Sequence, residues 1–247
     1  MPSSITIVLS IILFTLHAPF IQGQTVAGTA ASPNSNVELN VVLDAPSQTA
    51  HIMMAGPAGQ WFSFGFGNSQ MLNTYIIVVD GQGAVQERKL AARNAGTLLT
   101  PMLNNTSVTT VAGRTFFYGQ RPLQGLSNDH YTFTPQSGAI NCIWGIGSGP
   151  DLAVHASRGT LSVDNSEIPQ PAISAQSVTT GAIQLSITDL TVAITNHVEF
   201  STELRDGNWS NLIDLVHVPT DTSGLNYNTN LVAALQDLTN GFIRIRH

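Results

Sequence analysis

The stretch that decides the fold is QWFSFGFGNSQMLNTYIIVV, residues 60–79. Between residues 61 and 67 bulky and small side chains alternate, and this period of two predicts a β-strand. One face of that strand is aromatic, whereas the other becomes thin beyond Trp61, as if a flat group lies against it. A Gly/Asn/Ser loop and Met71 follow, and the apolar run at 74–79 predicts a second strand.

Length and composition predict a single large β domain, or one domain with a small appendage. The chain has 247 residues, of which 43% are hydrophobic and only 10% are charged. Its solubility must therefore rest on Ser, Thr, Asn, Gln and Gly, a composition common in secreted β proteins. The net charge is −6 and Lys89 is the single lysine, so no basic patch exists to neutralise a phosphate backbone. Nucleic acid is therefore not expected as a partner.

Short strand patterns separated by Gly, Pro and Asn recur along residues 37–164 and predict a β-sandwich. Residues 25–36 are expected to form a loose N-terminal segment, and residues 91–111 lack a period and are expected to be mostly loop. Prolines mark residues 165–171 as a linker. The strand pattern restarts beyond it, so residues 172–247 are expected to form a small C-terminal β module.

Residues 1–23 have the features of a secretory signal peptide. The apolar run at 5–16 has the length of a signal core and is too short to span a bilayer comfortably, and Gly23 suits a cleavage site. The sequence thus predicts a secreted or cell-surface, extracytoplasmic protein. An uncleaved N-terminal anchor is the alternative. Cys142 is the only cysteine, so no internal disulfide forms, and no Cys-x-x-Cys-His run exists for covalent haem attachment.

Met71 and His155 are the residues that suggest chemistry. They lie 155 − 71 = 84 residues apart on two predicted loops, so only the fold could bring them together. Haem iron accepts a thioether sulfur and an imidazole nitrogen as axial ligands, and this pair raises the reduction potential. With both positions filled the iron shuttles one electron, so the chain is not expected to be an enzyme. Spacing alone leaves other methionines and histidines open as ligands, namely His51, Met53, Met54, Met102 and His130.

A haem also needs a flat slot of aromatic and small residues. The candidates for its walls are Trp61, Phe64, Phe66 and Trp144, and Gly65 would permit close approach of the macrocycle.

Two separated motifs give the chain a resemblance to DOMON domains. The first is the aromatic and glycine-rich run at 61–67 followed by Met71. The second is Arg121, then IWGIG at 143–147, then HASRG at 155–159. The resemblance covers residues 37–164. It implies an immunoglobulin-like β-sandwich that binds haem b non-covalently, similar to the cytochrome domain of cellobiose dehydrogenase.

In that resemblance Met71 and His155 fall on the family's iron ligands, and Arg121 or Arg158 is expected near the mouth of the slot for the haem propionates. No flavin domain or membrane cytochrome is fused to the chain, so the redox partner would be a separate protein. The tail at 198–246 is similar to C-terminal β modules of bacterial secreted proteins and would serve as a surface or sorting appendage.

Two other functions stay open at this point. The first is a DOMON-type carbohydrate or small-ligand binding module without haem, in which an exposed aromatic such as Trp61 stacks on a sugar ring. The second is a structural protein that makes cell-surface contacts through its tail. A hydrolase is not supported, because Asp151, His155 and Ser157 lack a nucleophile elbow of the Gly-x-Ser-x-Gly type.

Overall fold

The chain is all-β in every part that its structure, a computed structural model, describes. The described residues are 25–32, 36–91 and 94–168, together with the backbone of six strands between 172 and 246. These residues contain strands, turns and loops but no helix, which confirms the predicted all-β class. Within them, no helix is long and apolar enough to cross a membrane. The predicted signal peptide and the second half of the predicted linker lie outside the described residues.

Eleven strands form one antiparallel sheet. Its spatial order is β7-β6-β5-β4-β10-β11-β1-β2-β3-β9-β8. The strands are β1 (Thr25–Ser32), β2 (Val37–Asp44), β3 (Thr49–Pro57), β4 (Phe62–Phe66), β5 (Tyr75–Val79), β6 (Val85–Ala91), β7 (Asn94–Leu98), β8 (Asn104–Val111), β9 (Arg114–Pro122), β10 (Gly138–Gly147) and β11 (His155–Glu167).

The sheet curls so that its two halves enclose one core. Strand β11 pairs with β10 along most of its length and then with β1, where Val26 lies opposite Glu167. The aromatic face of β4 points inward, as the alternation predicts, and Phe62, Phe64 and Phe66 are almost fully buried in the core. Residues from both halves pack against them, including Leu39 and Val41 of β2, Ile52 and Met54 of β3, and Ile77 and Val79 of β5.

Three segments differ from the sequence expectation. The segment expected to be a loose N-terminus contains β1, which pairs with β2 over all eight residues and buries Val26 and Ala27. The segment expected to be mostly loop contains β7 and β8, whose side chains are nearly all exposed and therefore carry no hydrophobic period. Strand β11 also continues past Asp164, where the predicted sandwich ended, and Ile168 beyond it is buried.

Beyond residue 171 the backbone forms two further antiparallel sheets, each described by itself. One has the order β12-β13-β16 and the other β15-β14-β17. Their strands are β12 (Ala172–Thr179), β13 (Ala182–Thr191), β14 (Asn196–Ser201), β15 (Ser210–Leu215), β16 (Asn226–Ala234) and β17 (Phe242–Arg246). The strand patterns that the sequence shows after the prolines are therefore real strands.

His51 makes the stability of the sandwich sensitive to acid. Its side chain is buried on the outer face of β3, with Nδ1 3.2 Å from the Tyr118 hydroxyl. Burial lowers the pKa of His51 to about 4, and the nearby Asp44 carboxylate opposes this shift only in part. The unfolded chain therefore binds a proton more readily than the folded chain in mildly acidic solution.

We expect the stabilising effect of a neutral His51 to be complete above about pH 6.5 and to disappear as the pH falls through about 4. The free energy of unfolding should then fall by about 1.4 kcal/mol per pH unit in this window from His51 alone. Urea denaturation at several pH values between 7.5 and 4 measures the slope. His51→Gln, which keeps a polar partner for Tyr118 without titrating, should flatten it; equal slopes in the two proteins would contradict the expectation.

Candidate functional site

A cavity of about 780 Å³ lies on the outer face of β4, β5, β6, β10 and β11, on the side of these strands away from the core. The alternation of β4 decides its position, because Trp61 and Ser63 point to this side while the phenylalanines point inward. Its lining consists of Trp61, Ser63, Ser69, Gln70, Met71, Ile76, Leu90, Asn94, Ala95, Ile143, Trp144, Gly145, Leu152, Ala153, Val154, His155, Arg158, Gly159 and Thr160.

Larger side chains cover the glycines of this face. Gly65 lies directly beneath two lining residues, since a Cβ atom placed on it would come 2.8 Å from Ile76 and Ile143. The indole of Trp61 lies over Gly145 and Gly147, and a Cβ atom on Gly147 would overlap the indole nitrogen. The side chains of Ile76, Ile143 and Trp61 therefore fill the space above these glycines, and the cavity lies beyond those side chains. Gly65 is thus not open to the close approach of a flat group.

Met71 reaches the cavity from the connection between β4 and β5, residues 67–74, and is half-buried there. Side-chain hydrogen bonds hold the shape of this connection. The Asn68 amide nitrogen donates to the Leu72 carbonyl at 3.3 Å, and its amide oxygen accepts from the Gln70 backbone N–H at 3.1 Å. The Thr74 N–H donates to the Met71 carbonyl at 3.1 Å. Met71 is thus fixed at the turn rather than carried on a free loop.

His155 is the first residue of β11 and pairs with Gly147 at an irregularity of the β10–β11 ladder. It is half-buried, and its Nε2 atom lies 3.3 Å from Nη1 of the exposed Arg158. A guanidinium group can only donate, so Nε2 accepts this hydrogen bond and the imidazole proton lies on Nδ1. The single Nε2 lone pair is therefore directed at Arg158, and a metal could take it only after the guanidinium turns away.

The structure brings together five of the predicted site residues and leaves four outside the cavity lining. Met71, His155, Trp61, Trp144 and Arg158 all line the cavity, although the Trp144 side chain lies opposite Phe64 and belongs to the inner core. The residues outside it are Phe64, Phe66, Arg121 and the glycine beneath it, Gly65.

Phe64 and Phe66 belong to the core because their place in the alternation turns them to the inner face of β4. Arg121 is fully buried on the core side, over the rings of Tyr75 and Phe133 at 5.0 and 5.3 Å. Neither phenylalanine forms a wall of the slot, and Arg121 is not at its mouth. Of the two arginines considered for the mouth, the structure places Arg158 there.

The methionines and histidines that the spacing left open as ligands all lie outside this cavity. Met53, Met54 and His51 are buried in or against the first half of the sheet. Met102 accepts a hydrogen bond from the Leu126 N–H, and His130 contacts Ser127 and the Thr100 carbonyl. None of these five residues lines the cavity.

Several lining residues escaped sequence prediction. Ile76 and Leu90 face the cavity from β5 and β6. The pairing of these strands with β4 fixes which of their alternating side chains point outward, and this register could not be read from the sequence. Asn94 and Ala95 come from β7, which carries no hydrophobic pattern at all. Leu152, Ala153 and Val154 precede His155 and form an apolar rim, and the exposed fraction of Val154 is 83%.

The cavity lining offers two side chains of the kind that bind haem iron axially, Met71 and His155. Among the described residues no group of three or more His, Cys, Asp or Glu side chains could hold an ion. A haem iron is already held by its macrocycle and needs only axial groups, which the Met71 sulfur and the His155 imidazole are able to supply. The cavity volume of about 780 Å³ lies within the range of about 300–1,000 Å³ typical of small-molecule and cofactor sites.

No known protein-family model matches the sequence, and the comparison with curated proteins gave no match. The resemblance to DOMON domains therefore rests on the motifs quoted above.

Proposed function

We propose that this chain is a haem b-binding electron-transfer protein in which Met71 and His155 are the axial ligands. The observation that carries the proposal is that these two residues, 84 positions apart in the sequence, line one cavity whose other walls are largely apolar. The bound haem would supply a one-electron couple and, with both axial positions occupied, no open site for a substrate. The chain is accordingly proposed not to be an enzyme.

Each part of the cavity has a role in this proposal. His155 would offer its Nε2 lone pair once Arg158, which donates a hydrogen bond to that atom, turns away. The connection held by Asn68 presents the Met71 sulfur. Trp61 excludes water from the macrocycle on the outer face of the sheet. Arg158 is exposed beside His155, so its guanidinium is free to turn from the imidazole to a haem propionate.

We further propose that the protein is exported by the signal at 1–23 and exchanges electrons with a separate redox partner protein. The rival function, a carbohydrate-binding module without haem, needs an exposed aromatic platform. In the part of the chain with described side chains, the large exposed apolar residues are all aliphatic, and the exposed fraction of Trp61 is only 4%. No observation on this face favours sugar stacking over haem binding.

Titration of the purified chain with haemin tests the proposal. We expect stoichiometric uptake and the sharp visible bands of a six-coordinate, low-spin iron. Met71→Leu, which keeps the apolar volume, should give a high-spin spectrum and a lower reduction potential because the thioether favours reduced iron. His155→Ala should weaken haem binding by more than about 100-fold, the upper end of what loss of a second-shell partner costs.

Two matched variants serve as controls. Met102→Leu and His130→Gln remove the same side-chain types from outside the cavity, and both should retain the wild-type spectrum. The proposal fails if the wild-type chain takes up no haem, or if the control variants change the spectrum as much as the two ligand variants do.

A further inference from the structure

A second cavity, of about 560 Å³, opens at the end of the sandwich on the other side of the connection that carries Met71. We refer to it as the Lys89 cleft. It lies between the β4–β5 connection, the segment 124–132 that follows β9, and Lys89 of β6. Its lining consists of Phe66, Gly67, Asn68, Asn73, Tyr75, Lys89, Gln124, Gly125, Leu126, Ser127, Asn128, His130, Tyr131 and Thr132.

The only formal charge in the lining of the Lys89 cleft is positive. No lining residue carries a carboxylate, although the whole chain has 15 acidic residues and only this one lysine. The Lys89 ammonium donates one long hydrogen bond, 3.4 Å, to the Asn128 carbonyl and forms no ion pair within the described residues. No opposing charge therefore competes for the Lys89 ammonium within the cleft lining, so an anion that enters the cleft is attracted to it.

The neutral groups of the cleft suit a polar ligand. The side chains of Asn73, Gln124 and Asn128 line it and have no hydrogen bonds to described residues. Their amide groups are able to donate to carboxylate or hydroxyl oxygens. Phe66 and Tyr131, whose ring centroids are 6.2 Å apart, form an aromatic surface at the base. The volume is again within the range of about 300–1,000 Å³ for small-molecule sites.

We propose that the Lys89 cleft binds a small organic carboxylate, with Lys89 as its ion-pair partner and the amide side chains as further donors. The site is separate from the proposed haem cavity, and its ligand does not depend on haem being bound.

The two cavities share the β4–β5 connection. Ser69, Gln70 and Met71 line the first, whereas Asn68 and Asn73 line the second. The Asn68 amide holds Gln70 and Leu72 on either side of Met71. A carboxylate that contacts Asn68 or Asn73 therefore alters the surroundings of Met71 from the side of the connection that faces the Lys89 cleft.

Methionine methyl signals in NMR test the site on the full chain without haem. Met102 reports on the cleft, since its sulfur lies 3.2 Å from the backbone nitrogen of Leu126, a lining residue. Met71 reports on the shared connection. Met53 and Met54, both buried elsewhere, serve as internal controls. The probes are galacturonate, succinate and the neutral sugar galactose.

We expect galacturonate, succinate or both to shift the Met102 and Met71 signals saturably, while Met53 and Met54 stay in place. Binding of galacturonate alone identifies an acidic sugar as the ligand class, and binding of both identifies any small carboxylate. Lys89→Gln should weaken binding at least tenfold. Arg158→Gln removes the same charge at the other cavity and should leave the affinity unchanged.

The proposal is overturned if neither carboxylate gives a saturable shift, or if galactose binds as tightly as galacturonate. It is also overturned if Lys89→Gln and Arg158→Gln weaken binding equally, because only the net charge would then matter. Since the titration uses protein without haem, a chain that fails to take up haem leaves this result intact, and the two proposals can fail separately.

Discussion

Replacement of Arg121 by methionine is expected to lower the free energy of unfolding by about 3–5 kcal/mol, the range for a buried charge cluster that loses one member. The guanidinium is fully buried, donates to the Tyr131 carbonyl at 2.7 Å, and lies 5.0 Å from the ring centroid of Tyr75. The Tyr75 hydroxyl donates to Glu87 at 2.5 Å, and the exposed fraction of Glu87 is only 2%. Without Arg121, the Glu87 carboxylate stays buried with no cation on the other side of the ring.

Urea denaturation of the wild-type chain, the two single variants and the double variant measures the coupling free energy between Arg121 and Glu87. Glu87 also accepts hydrogen bonds from the backbone N–H groups of Met102 and Leu103, which Glu87→Gln is able to keep through its amide oxygen. We expect Glu87→Gln to cost less in the Arg121→Met background than in the wild-type chain, because the uncompensated charge is then removed. An Arg121→Met protein that unfolds at the wild-type urea concentration would contradict the expectation, and strictly additive losses would show that the two groups act separately.

The substitution Gly147→Ala is expected to destabilise the sandwich by about 1–3 kcal/mol, as overpacking of a filled site does. A Cβ atom on Gly147 would overlap the Trp61 indole at its nitrogen, and Trp61 is itself buried. The indole must move, and it forms one wall of the cavity, so haem uptake should fall together with stability. Tryptophan fluorescence during urea denaturation follows both the position of the indole and the unfolding midpoint.

Gly149→Ala is the matched control for this prediction. Gly149 lies two residues further on, and a Cβ atom placed on it has no neighbour within 4 Å. Its midpoint and fluorescence should equal those of the wild-type chain. If Gly147→Ala matches this control, the indole does not lie against Gly147 as the structure places it.

The aromatic strand was predictable because an alternation with a period of two shows which side chains share a face of the strand. Phe62, Phe64 and Phe66 repeat on one face, and that face is the core. The same alternation places Trp61 on the opposite face from Phe64 and Phe66, so these three residues could not all line one cavity. This was already readable from the sequence. Strands β7 and β8 could not be found this way, because strands exposed on both faces have no apolar period to detect.

Only the resemblance predicted that Met71 and His155 share one cavity, because spacing could not supply that pairing. Met71 and His155 are single residues on separate connections, and local pattern says nothing about which distant residue faces which. Arg121 and Arg158 were equal candidates in the sequence, and only the fold separates them, since one is fully buried and the other exposed. The apolar rim at Leu152–Val154 follows no period, because it is a connection rather than a strand.

The pairing of β1 with β11 has a consequence for the order in which the chain folds. Val26 meets Glu167, which is 167 − 26 = 141 residues later, so the first strand of this sheet in chain order completes its pairing only with the last strand of the sheet. Until then the edge of β1 that faces β11 is unpaired, and nonlocal pairing of this kind is slow. The half-made sheet is thus open to aggregation along that edge, and a chain shortened before residue 166 would never close it.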